Sequence, residues 1–118
     1  MRTNPFPLRL PRHFFLRAYS AESTTIAFRS EKSGTEFTQA DMLFEEVVEM
    51  FVRPVLNDVT VSLIEGGYSL STPDFPDGYV LCKRFHYAED DVEDWSTFDV
   101  LAPKRPGYRR IYHPSPGP

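Results

Sequence analysis

Two periodicities divide this chain. Between Gln39 and Val52 apolar residues recur every three to four positions. Ala40, Phe44, Val47, Val48 and Phe51 form one stripe, and Glu45, Glu46 and Glu49 fall opposite it. Thr38 followed by Asp41 has the spacing of a capping box, and Phe37 with Met42 that of a hydrophobic staple. Arg53 precedes Pro54, which disfavours the helical conformation. The pattern predicts a helix over about 39–52.

From Val55 the period becomes two. Val59-Thr60-Val61-Ser62-Leu63 alternates apolar with polar. Gly66-Gly67 supplies a hairpin turn, and Tyr68-Ser69-Leu70-Ser71 begins the return strand. Pro73, Pro76 and Asp77-Gly78 mark a loop. Tyr79–Tyr87 reads as the strongest strand, with Tyr79, Leu81, Lys83, Phe85 and Tyr87 on one face. Trp95–Leu101 reads as a fourth strand, and Thr25–Phe28 as a short one upstream. The expected fold class is α+β: one N-terminal helix packed on a three- to four-stranded antiparallel sheet, with extended N- and C-terminal segments. The expected aromatic sheet face exceeds what one short helix covers, which marks it as a docking surface.

Charge divides the chain into three parts. Residues 1–20 hold Arg2, Arg9, Arg12 and Arg17 and no acid; residues 21–99 hold all 17 acids; residues 100–118 hold Lys104, Arg105, Arg109 and Arg110 and again no acid. The net charge of −4 conceals this layout. The first segment has the composition of a mitochondrial presequence. Arg17-Ala18-Tyr19-Ser20 resembles a matrix-processing site with the cut before Ser20. The interrupting arginines exclude a secretory signal. The expected organisation is a presequence over 1–19, a linker over 20–36, the α+β domain over 37–102 and a basic, proline-rich tail over 103–118. The expected location is the mitochondrial matrix or the matrix face of the inner membrane. No apolar run is long enough for a membrane-spanning helix.

Candidate chemistry is sparse. Cys82 is the lone cysteine, so an intrachain disulfide is excluded. His86 lies four residues on, about 13 Å away along a strand, too far for a nucleophile–base pair. Glu89-Asp90-Asp91-Val92-Glu93-Asp94 lacks the ligand spacing of a calcium-binding hand and reads as a solvated loop. No catalytic, metal or cofactor site is expected. The tail mixes bases with aromatics, and Lys104, Arg105, Tyr108, Arg109, Arg110 and Tyr112 are the expected partner contacts.

These features point to a non-catalytic accessory subunit of a large mitochondrial assembly. The ribosome and a respiratory-chain complex are the hosts considered, with neighbouring subunits or ribosomal RNA as partners. A free acidic matrix binding factor and a small enzyme of unknown chemistry are the alternatives.

Overall fold

A computed structural model describes residues 6–31, 38–90 and 109–112. Among the described residues every regular element is a strand. They are β1 (Leu8–Ser20), β2 (Thr25–Ser30), β3 (Gln39–Glu45), β4 (Glu49–Phe51), β5 (Val55–Ile64), β6 (Gly67–Ser71), β7 (Tyr79–Leu81), β8 (Arg84–Asp90) and β9 (Arg109–Tyr112). All neighbours are antiparallel, in the order β4-β7-β6-β5-β1-β2-β3-β8-β9.

That order returns on itself. β3 and β4 belong to one run of chain, and β7 and β8 to another. β3 pairs with β8, β4 pairs with β7, and β7 also pairs with β6. The path from β6 through β5, β1, β2 and β3 therefore comes back to β8 and β7, and the sheet closes as a barrel. Closure gives most strands two partners without help from helices.

The barrel interior is one apolar cluster. Leu8, Leu10 and Phe14 of β1 meet Ile26 and Phe28 of β2, Met42 and Phe44 of β3, Leu56, Val59 and Val61 of β5, Tyr68 and Leu70 of β6, and Phe85 and Tyr87 of β8. Rings pack at its centre: Phe44 and Phe85 lie 4.9 Å apart between centroids, and Tyr68 and Phe85 5.1 Å. Each such side chain contributes about 1.5–3 kcal/mol by burial.

The expected α+β fold is overturned. The segment expected as a helix over 39–52 forms β3 and β4. Ala40, Met42 and Phe44 point inward, while Gln39, Asp41, Leu43 and Glu45 alternate with them on the outer face. The residues that imitate a helix cap are used across strands instead. Asp41 takes the Arg29 side chain at 2.8 Å, and the Thr38 hydroxyl donates to Glu89 at 2.7 Å. Tertiary pairing outweighs local propensity here. Glu46, at φ 56, breaks the strand where β3 passes into β4.

Strands also lie outside the expected 37–102 domain. Residues 8–19 of the expected presequence, together with Ser20, form β1 between β5 and β2. Residues 25–30, inside the expected linker, form β2. The long strand expected over 79–87 is broken at Cys82 and Lys83. The inward set therefore switches from Val80 and Cys82 to Phe85 and Tyr87, and the expected aromatic sheet face divides between core and exterior. The strand expected at 95–101 lies outside the described residues. The β5–β6 hairpin is where the alternation places it. Gly66 turns at φ 81, and a Cβ on Gly67 would sit 2.2 Å from the Val80 carbonyl oxygen.

Candidate functional site

Two groups of polar side chains serve the fold. At one end of the barrel Arg12, buried, donates to the Ser30 hydroxyl at 2.8 Å, to the Thr38 hydroxyl at 2.9 Å and to the Thr38 carbonyl at 2.6 Å. Glu89 lies 3.7 Å from the same guanidinium and accepts from the Tyr87 phenol at 3.1 Å. This network ties β1, β2, β3 and β8 together. On the outer face of β2 and β3, Arg29 and Asp41 form a buried ion pair beside Ala27, Leu43 and Ala88. Burial pushes the Asp41 carboxyl up, against the opposing pull of Arg29.

A third group is more exposed. Glu45 takes Arg84 at 3.0 Å and His86 at 2.7 Å, and Glu46 also pairs with Arg84. Burial would raise the Glu45 carboxyl, but the hydrogen bonds and charges of Arg84 and His86 together hold it below its ordinary value.

Cys82 does not face His86. Its side chain belongs to the interior cluster, its thiol sits 3.6 Å from the Arg84 carbonyl oxygen, and burial pushes it up to about 12. Such a thiol is protonated at neutral pH and is a poor nucleophile. A shallow groove of about 340 Å³ runs past Arg9, Asp58, Thr60 and Ser71, but Arg9 and Asp58 satisfy each other at 3.1 Å. Asp58 adopts φ 58, and this irregularity lets Leu56 and Val59, three residues apart, both reach the core.

The outer surface around β4 and β7 is different in kind. Phe51 of β4 and Tyr79 of β7 are cross-strand partners. The Phe51 ring lies 5.1 Å from Phe75 and 5.9 Å from Tyr79. Arg53 rests over Phe75, 4.8 Å from the ring centroid. Two residues further on, Val55 pairs with Phe15 of β1. Phe51 is 51% exposed, Phe15 48% and Val55 42%, so these apolar side chains line an uncovered margin rather than a core.

Of the residues expected to contact partners, Lys104, Arg105 and Tyr108 lie outside the described residues. Arg109, Arg110 and Tyr112 fall in β9, whose backbone pairs with β8: Arg109 opposite Asp90, Arg110 opposite Glu89 and Tyr112 opposite Tyr87. The basic segment thus includes a strand at the margin of the sheet. The aromatic margin is not legible in the sequence because Phe51 falls on the apparent helix stripe. The available signal was Phe75, an aromatic residue set in a loop of Pro73, Asp74, Pro76 and Asp77.

Among the described residues no group of His, Cys, Asp and Glu has the arrangement to hold a metal ion, and no helix is long and apolar enough to cross a membrane. Compared with known protein families, curated proteins and solved structures, the chain matches none.

Proposed function

We propose that this barrel is a non-catalytic binding module, a subunit that docks into a larger assembly. The observation that carries this reading is the exposed aromatic margin of Phe51, Phe75 and Tyr79, capped by Arg53 and continued by Val55 and Phe15. Aromatic residues and arginine are the types that dominate interface energetics. The basic segment around β9, paired with β8, is proposed as a second contact.

The mitochondrial ribosome and the respiratory chain stay as proposed hosts, on the charge of the first twenty residues. That charge also has a structural use. Arg9, Arg12 and Arg17 pair with Asp58, Glu89 and Glu31. On this reading the segment is retained after import, because a cut before Ser20 would take β1 out of the barrel.

Photo-cross-linking tests the docking directly. A benzophenone amino acid at position 51 of the full chain, expressed in its own cells, is expected to give one defined adduct. The same group at Glu22, in the exposed β1–β2 turn, is expected to give none. Equal labelling from both positions, or none from 51, would contradict the reading.

A further inference from the structure

Arg53 differs from six other cations of the described barrel. Arg9, Arg12, Arg17, Arg29, Lys83 and Arg84 each have a carboxylate within 4.0 Å. Among the described residues Arg53 has none, although acids outnumber bases by 17 to 13 in the chain. Its guanidinium is not loose. It lies on the Phe75 ring, and Phe75 is held against Phe51. Stacking leaves the N–H edge of the fork open to a planar, bidentate acceptor. Beside it, the half-exposed Phe51 ring offers apolar contact.

The geometry points to a partner segment of stated chemistry: a peptide carrying a carboxylate next to an aromatic or aliphatic side chain. The carboxylate pairs with Arg53, and the apolar side chain packs on Phe51 and Phe75. Charge complementarity favours a peptide over a nucleic acid. Glu49 accepts the Tyr79 phenol at this margin, and Asp74 and Asp77 stand in the Phe75 loop. A phosphate backbone would bring a run of negative charges past these acids. A single carboxylate brings one charge to the Arg53 guanidinium. This inference rests on the docking reading and adds the class of partner to it.

The test begins with random peptides displayed on phage and selected on the full-length protein. Selected sequences, made as synthetic peptides, are measured by fluorescence anisotropy. The expected sequences carry Asp or Glu adjacent to Phe, Tyr, Trp or Leu. Arg53→Glu is expected to weaken them about tenfold or more, with an unchanged circular dichroism melt. Replacing the peptide's acid by Lys is expected to abolish binding to the wild type and restore it to Arg53→Glu. Selection of no peptide, selection without acids, equal binding to Arg53→Glu, or stronger binding of single-stranded oligouridylate would each overturn the inference. Cross-linking from position 51 is read independently. An adduct there with no acid preference among peptides leaves the docking surface standing and removes only its partner class.

Discussion

Arg29 and Arg53 both sit on the outside of the barrel wall, and the fold treats them oppositely. Arg29 is buried on β2, locked to a buried Asp41 on the neighbouring strand. Arg53 follows β4 and is supported by an aromatic ring, with no carboxylate beside it among the described residues. Around Arg29 the neighbours are Ala27, Leu43 and Ala88, all buried; Arg53 lies on Phe75, whose ring adjoins the half-exposed Phe51. The first region spends its charge on holding strands together. The second offers the same chemical group outward. The difference separates side chains that make the fold from those left available to a partner.

The largest expected effect comes from removing the strand that anchors the first region. Deletion of residues 1–19 takes Leu8, Leu10 and Phe14 from the core and deprives β5 and β2 of their common neighbour. Those three side chains alone contribute about 5–9 kcal/mol, comparable with the whole stability of a small domain. The truncated chain is expected to show no cooperative thermal transition by circular dichroism. A normal melt would mean that β1 is dispensable.

Next in size is the buried pair. Arg29→Met removes the guanidinium from a fully buried carboxylate and is expected to cost about 3–5 kcal/mol in urea unfolding. Adding Asp41→Leu is expected to recover most of that loss, since two apolar side chains replace two charges. A single substitution as mild as those at the Arg53 margin would remove the contrast between the regions. Gly67→Ala is a smaller, steric test. Its methyl group would press on the β7 backbone, at an expected cost of about 1–3 kcal/mol.

The pH dependence belongs to the Glu45 group. Its carboxyl is lower in the folded protein than its ordinary value of 4.5, so between the two values the unfolded chain binds more protons. The stabilisation is full above about pH 4.5 and is lost as pH falls through the folded value. Wild-type melting temperature is expected to drop more steeply on acidification than that of Glu45→Gln. Parallel curves would refute the assignment.

Legibility in the sequence followed the range of the contacts. The β5–β6 hairpin could be read because alternation and a Gly-Gly turn are local. β3 could not, because Asp41 and Thr38 have local meaning as a helix cap and gain their strand meaning only from Arg29, Arg12 and Glu89. β1 was hidden in the same way. Its arginines match the composition of a targeting segment, and their partners Asp58 and Glu89 lie far along the chain. The break at Cys82 and Lys83 carries no glycine or proline, so nothing in the sequence announced the change of face. The open margin was invisible because Phe51, Phe75 and Tyr79 meet only after closure of the sheet.

The smallest expected effect on stability comes from the margin itself. Phe51→Ala with Arg53→Glu is expected to change unfolding free energy by no more than about 0.5 kcal/mol for each exposed position. Sedimentation of gently lysed cells expressing either the wild type or this double variant is the most direct test of the central claim. The wild type is expected in heavy fractions with its host, and the variant in the lightest fractions with an unchanged melt. Identical profiles, whether both heavy or both light, would contradict the assignment of the β4–β7 margin as the docking surface.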